Sequence, residues 1–389
     1  MDLLYLSHCV PYPPDKGERI RAYHELRLLA ERCRVHVVCA ARDSQEREAA
    51  AALRQWCASV TAVPAPPRWS LFRALARFAA GGCLNTAYYS TAAFRRAVQD
   101  TVAKAPPSVC VVYTAAVFPC APGGVPRLLD MVDADSEKWF HYARRRWPST
   151  FFALEARRRG RHEIAQSRQA EPVWLTTENE ARRYASFAPG ARGGAMENGV
   201  DGERFDPVAA PDMPSLRGRR YVVFVGYLDY YPNRDGVIWF AREVLPVMRR
   251  AVPDLEFVVV GRNAPPTVLA LQREPGVEIA GAVPDIRPYL KHAAAMTAPL
   301  RIARGIQNKV LEALAMGCPV LASDAVAATF GERIPPGLIA CRTADDFRNA
   351  WDDLARLDRT EIRRAALGRF DWRRNLEPLL LAVKEAANR

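Results

Sequence analysis

Two apolar patterns alternate along the chain. Short unbroken runs such as Tyr221-Val222-Val223-Phe224-Val225 and Phe257-Val258-Val259-Val260 each end at a glycine. The stretches between them repeat apolar residues at helical spacing, as Val237, Phe240, Ala241, Val244, Leu245 and Met248 do between about 233 and 250. In the second half this predicts further strands at 277–279, 295–299, 319–323 and 338–341, with helices at 284–292, 306–316 and 343–357. Strands that are apolar throughout suit a parallel sheet covered on both faces, and their alternation with helices predicts a doubly wound α/β architecture. The first half repeats the plan with strands near 2–7, 34–39, 59–63, 108–112, 127–132 and 173–176. Its helices are predicted near 18–32, 44–57, 91–104 and 178–186, with a long arginine-studded helical pair over 136–168.

Pro207, Pro211 and Pro214 interrupt all periodicity, which places a hinge or linker at 198–215. The expected organisation is therefore two facing Rossmann-like domains, 1–197 and 216–369, followed by a C-terminal helical segment, 370–389, that packs back on the first. The crevice between such domains is the expected ligand site.

Composition narrows the class. With 389 residues, 49% hydrophobic and 25% charged, the chain suits a soluble protein of two or three domains. No apolar run reaches the length of a membrane span, and Met1-Asp2 puts an acid where a signal peptide carries positive charge. A cytoplasmic protein is expected. Nine cysteines without a C-x-x-C pair, and six histidines without ligand spacing, predict free thiols and no metal site. The net charge of +12 is uneven: residues 1–200 hold 28 Lys and Arg against 19 Asp and Glu, leaving +9 there and +3 in the remainder. Such asymmetry suits a polyanionic or membrane-surface partner.

No G-x-G-x-x-G follows the first strand of either half, and neither G-x-x-x-x-G-K-[ST] nor G-x-S-x-G occurs. What remains are glycine-terminated strands that bring amides and helix N-termini to one sheet edge, where anions bind. The strongest candidate runs from Ala298 to Val320. There a strand gives way to a loop with Arg301, Arg304 and Gly305, and then to a helix with Lys309 in its first turns. Amides, a dipole and fixed cations are what a diphosphate needs.

This stretch, ending in Glu312-Ala313-Leu314-Ala315-Met316-Gly317-Cys318-Pro319-Val320, resembles the donor-binding signature of the family 4 glycosyltransferases, which have the GT-B fold. Asn198-Gly199-Val200-Asp201, Val223-Phe224-Val225-Gly226 with Pro232-Asn233, Val258-Val259-Val260-Gly261-Arg262, and Gly281-Ala282-Val283-Pro284-Asp285 resemble further landmarks of that family. More narrowly, Asp133-Ala134-Asp135-Ser136-Glu137-Lys138-Trp139 and Arg304-Gly305-Ile306-Gln307-Asn308-Lys309 resemble sugar transferases of exosortase/PEP-CTERM exopolysaccharide systems.

The resemblance implies a retaining, metal-independent transfer from a nucleotide-diphosphate sugar to a glycan or polyprenyl-linked acceptor. No cofactor is implied. Gly226, Asn233, Arg262, Arg304, Gly305, Ile306, Gln307, Asn308, Lys309 and Glu312 would form the donor site, with Glu312 on the ribose and Arg262 and Lys309 on the diphosphate. The first acid of the family's E-x₇-E motif is here Arg304, a cation where a carboxylate would hold sugar hydroxyls.

The first half would supply the acceptor side. Lys16, Gly17 and Arg21 follow the first strand and open a helix. Asp133 and Asp135 lie past the run Leu128 to Val132, at a strand's carboxyl end, where one of them would orient or deprotonate the acceptor hydroxyl. Alternatively Asp135 or Ser136 caps the following helix. At 68–79, Trp69, Leu71, Phe72, Leu75 and Phe78 share a helical face opposite Arg73 and Arg77. That is the pattern of an interfacial helix on the inner membrane, with the arginines at 144–146 and 157–161 adding attraction, although the same stripe suits a core-facing helix. A nucleotide-sugar epimerase and a basic nucleic-acid-binding protein are the alternatives. No motif for specific nucleic-acid recognition is present.

Overall fold

The computed structural model describes residues 1–145, 147–303 and 305–388. The chain forms two compact units, Met1–Glu197 with Arg373–Arg389, and Asn198–Trp372. The first is built on strands β1 (Asp2–Ser7), β2 (Arg34–Ala41), β3 (Ser59–Pro64), β4 (Val109–Tyr113), β5 (Arg127–Val132), β6 (Val173–Leu175) and β7 (Gly193–Ala195). The second holds β8 (Tyr221–Val225), β9 (Glu256–Val260), β10 (Val277–Gly281), β11 (Ala295–Ala298), β12 (Val320–Ser323) and β13 (Leu338–Cys341).

Every pairing is parallel, and the sheet orders are β3-β2-β1-β4-β5-β6-β7 and β10-β9-β8-β11-β12-β13. The strands are buried because their apolar runs leave no polar face: Leu3 to Leu6, Val109 to Val112 and Val222 to Phe224 are all within the cores. Each sheet winds outward in both directions from one pair of neighbours, β1 and β4 in the first unit and β8 and β11 in the second. The loops leaving these pairs diverge, and the crevice opened at the carboxyl ends of the strands is where doubly wound sheets bind ligands. Helix Gly17–Ala30 follows β1, and helix Asn308–Ala315 follows the loop after β11.

Several elements differ from the sequence expectation. Residues 198–215 are not a free linker, since Val200, Phe205 and Ala210 are buried in the second core. The prolines there break periodicity but not packing. The helix expected over 233–250 is Tyr231–Trp239 continued by Leu245–Ala251 through a wider turn at Phe240–Val244, beside Pro246, which lacks the amide for an ordinary helical bond. At the end of the chain, helix Glu377–Ala387 packs Leu379 and Val383 into the first unit, and Arg373 meets both carboxylate oxygens of Glu31 at 2.8 Å.

Candidate functional site

In the second unit the candidate residues gather at the β8/β11 edge. β8 is followed by Gly226, whose amide donates to the Val260 carbonyl at 3.0 Å. A side chain at Gly226 is barred from two sides, since a Cβ there would lie 2.9 Å from both Asn233 Nδ2 and Lys309 Nζ. Lys309 Nζ donates to Asn233 Oδ1 at 2.7 Å and stands 4.3 Å from the centre of the Phe224 ring, while Asn233 Nδ2 donates to the Tyr227 carbonyl at 2.8 Å. Lysine, asparagine and bare glycine backbone thus form one packed floor. Gly305 takes a left-handed turn (φ 57°) that brings the chain into the helix. Gln307 is the N-cap residue of helix Asn308–Ala315 and makes no side-chain cap. Asn198 Nδ2 ties the loop down, donating to the Ile306 carbonyl at 3.3 Å and to Asn308 Oδ1 at 3.0 Å. Gly199 is required beside it, since a Cβ would meet the Trp372 ring at 2.7 Å.

One turn on from Lys309 on the same helix, the Glu312 carboxyl accepts no hydrogen bond among the described residues. Burial raises its carboxyl to about 7, against the pull of the Arg204 and Lys309 charges. Burial likewise lowers Lys309 to about 7, although Glu312 favours its charged form. An ammonium and a carboxyl that both titrate near 7, one turn apart on one helix, suit a ligand that brings both phosphate oxygens and hydroxyl donors.

In the first unit a second cluster forms at the ends of β4 and β5. Both strands leave the sheet through a β-branched residue in the left-handed region, Thr114 (φ 71°) and Val132 (φ 67°). Asp133 N closes a tight turn onto the Met131 carbonyl at 2.9 Å around Val132. Such conformations store about 1–3 kcal/mol each and gather at functional sites. Here they aim Thr114 and Asp133 into a small polar cavity of about 20 Å³, whose walls include Asp135, Arg159, Glu163 and Gln166. Thr176 Oγ1 donates to Asp133 Oδ1 at 3.2 Å, and Arg159 pairs with Asp135 at 2.7 Å.

The two acids are driven apart. Burial and then the Asp135 charge raise Asp133. Asp135 is lowered: burial opposes its charge, but Arg159, Lys138 and His8 outweigh it. Behind them, burial raises Glu163 to about 8 although Ser136 donates to it twice, through its hydroxyl at 2.5 Å and its amide at 3.0 Å. Gln166, 5% exposed, leaves both side-chain polar atoms without a partner among the described residues. A neutral-leaning acid beside an ionised one is the arrangement that separates proton-transfer roles.

Other sequence candidates lie elsewhere. Arg21 does not face a ligand: it is 1% exposed, bonded to Asp130, within 3.4 Å of Glu25, and donates to the Met196 carbonyl at 2.7 Å. Its place on the inner face of helix Gly17–Ala30 makes it a core ion pair. Lys16 is the N-cap of that helix and Gly17 its exposed first residue. Arg262 is exposed just past β9 and Gly261. The Ile306 side chain is buried in the core, so only its backbone faces the loop. Asp135 opens helix Asp135–Arg145, and Ser136 is committed to Glu163. Arg146 and Arg304 lie outside the described residues. Sequence reasoning missed Phe224 as the floor under Lys309, and also Thr114, Arg159, Glu163 and Gln166. The last three share one helix face at spacings of four and three, a pattern that also describes a solvated stripe.

Among the described residues no three His, Cys, Asp or Glu side chains gather as metal ligands, and no helix is long and apolar enough to cross a membrane. Residues 219–356 match the family model described as glycosyl transferases group 1. Over 99% of both chains the structure resembles sucrose-phosphate synthase from Thermosynechococcus elongatus, at 16% identity and a TM-score of 0.71. The chain has the GT-B fold, and its second unit carries a glycosyltransferase domain. The structure also resembles Anabaena HepE in complex with UDP and glucose (14% identity, 99% of both chains, TM-score 0.66). A UDP-forming trehalose-phosphate synthase from Burkholderia xenovorans is similar as well (12%, 99% of both chains, TM-score 0.62). No curated protein matches the sequence significantly.

Proposed function

We propose that this glycosyltransferase moves a sugar, with retention of configuration and without a metal, from a nucleotide-diphosphate sugar to a hydroxyl of a glycan or lipid-linked acceptor. The product feeds surface polysaccharide synthesis of the exosortase-associated kind, on the cytoplasmic side. The observation that carries this reading is the Gly226–Asn233–Lys309 floor with Glu312 one turn away. The bond that breaks joins the anomeric carbon to a phosphate oxygen, and Lys309, with Arg262 beside the same strand ends, meets the negative charge that develops on the diphosphate. Glu312 accepts from the ribose hydroxyls. The bond that forms joins the anomeric carbon to the acceptor oxygen, whose proton passes to Asp133. Asp135, held ionised by Arg159, keeps Asp133 basic enough to take it.

Uridine is the first base to test, because structural neighbours carry UDP or UDP-glucose in their complexes. A thermal-shift series with UDP-, GDP-, ADP- and dTDP-sugars tests the reading. One nucleotide should stabilise the protein by about 2.7 kcal/mol at a hundred times its Kd, and Lys309→Ala and Glu312→Ala should abolish the effect. A flat response to all four from a cooperatively melting protein refutes it.

A further inference from the structure

Helix Pro67–Ala79 is amphipathic in the reverse of the usual sense. Its buried side is small, Ser70 and Ala74, each 1% exposed. Its large apolar residues face outward: Trp69 is 73% and Phe72 70% exposed, with Leu71 and Leu75 beside them. A core helix would bury these side chains, each worth about 1.5–3 kcal/mol of transfer free energy. The helix is nonetheless firmly seated, because Phe78 packs on Phe151 at 5.1 Å, under the Arg158 guanidinium, and Arg158 donates to the Gly82 carbonyl at 3.2 Å. The outward aromatics therefore sit on a rigid support.

Two arginines of the same helix, Arg73 and Arg77, help to line a cavity of about 360 Å³ together with Arg95, His162, Thr86 and Ser90, and no carboxylate lines it. Arg73 is held in place by the Ala87 and Tyr88 carbonyls, at 3.2 and 2.7 Å. The Arg77 guanidinium has no hydrogen-bond or ion-pair partner among the described residues. Guanidinium groups and hydroxyls converging without an acid suit a phosphate. This cavity shares the wall residues Cys83, Thr86 and His162 with the small cavity that holds Asp133 and Asp135.

We infer that this face binds the phosphate or diphosphate head of a membrane lipid. The outward side of Pro67–Ala79 lies in the bilayer interface, and Arg73, Arg77 and Arg95 hold the head group. The charge argues for an anionic surface: the helix carries Arg68, Arg73 and Arg77 and no acid. The adjoining acid cavity makes the same lipid the acceptor class, a head group whose sugar or phosphate hydroxyl reaches Asp133. This last step rests on the transferase reading, whereas lipid binding does not.

Flotation of the full chain with vesicles tests it, comparing phosphatidylcholine alone with phosphatidylcholine containing phosphatidic acid, at low salt. Binding should require phosphatidic acid. It should fall about tenfold or more in a Trp69→Ser/Phe72→Ser variant, and as much in an Arg77→Ser/Arg95→Ser variant. Both variants should keep the wild-type melting temperature and the wild-type thermal response to UDP. Absence of binding to phosphatidic acid vesicles overturns the inference. So does binding indifferent to both variants, and so does binding that inorganic diphosphate abolishes while the aromatic variant leaves it unchanged, which marks a free-anion site. Vesicle binding with no response to any of the four nucleotide sugars supports the lipid site and counts against the transferase reading alone.

Discussion

Gly226 and Lys309 are fitted to each other: a methyl group on the glycine would lie 2.9 Å from the lysine nitrogen. The absence of a side chain on the strand end is what lets the ammonium reach Asn233 and the strand end together. Gly226→Ala should therefore push Lys309 off its floor. The expected result is a loss of nucleotide affinity of about tenfold, with stability reduced by only about 1 kcal/mol because Nζ is the flexible end of its chain. Calorimetric titration with UDP and a thermal melt measure both. Unchanged affinity would show that the lysine's position is unimportant to the donor.

The Lys309–Glu312 pair should leave a mark on stability against pH. In the folded protein both titrate near 7, whereas their ordinary values are 10.5 and 4.5. Between about pH 4.5 and 7 the folded Glu312 keeps a proton that the unfolded chain has lost, so its contribution falls as pH rises. Between about 7 and 10.5 the unfolded chain holds a proton on Lys309 that the folded one has released, so stability rises again. The pair thus contributes a minimum near neutrality. Lys309→Met should raise stability at pH 7 by about 1–2 kcal/mol, a few degrees in Tm, while abolishing donor binding. A destabilised Lys309→Met protein would contradict this.

Nucleotide binding should in turn charge Lys309. Titrations with UDP in two buffers of different ionisation enthalpy should show proton uptake at pH 8, and affinity should weaken as pH rises from 7 to 9. Affinity independent of pH over that interval would remove the lysine from the diphosphate.

For the acid pair, Asp133→Asn should lower kcat by about 10²–10⁴, with KM for the donor little changed. Asp135→Asn removes the like charge that helps to hold Asp133 up. Because Asp133 must be ionised to take the proton, the acid limb of the pH–rate profile should move to lower pH in Asp135→Asn. A shift to higher pH would reverse the assigned roles.

Gln166 offers a test of the same cavity through stability. Two buried polar atoms without partners cost about 1–3 kcal/mol. Gln166→Met keeps the shape and removes them, so its Tm should rise. A fall would mean that the amide serves the fold.

The sheets were legible because their strands are apolar throughout, whereas the strand order that sets the switch-point loops is a feature of the structure. Elements without an apolar signature were not legible. β7 is Gly-Gly-Ala, and helix Arg359–Arg369 buries only Ile362 and Ala366 among its charges. At the site, the local signals carried Gly226, Asn233 and Lys309 to one place. Arg21 misled because sequence puts it beside a loop, whereas helical geometry turns it inward to Asp130, 109 positions away. Arg159 and Gln166 are brought under Asp133 by the packing of a helix on a strand end, which no spacing within either one encodes.

The return of the chain to its first unit sets an order of assembly. Residues 198–372 are contiguous, so the second unit can complete itself as soon as that segment is available. The first unit begins earlier in sequence but lacks Leu379 and Val383 until the last helix, Glu377–Ala387, has been made. During synthesis the leading 197 residues therefore have part of their core uncovered while the domain behind them is made. Until that helix arrives, the side of β4 on which it packs stays open to solvent.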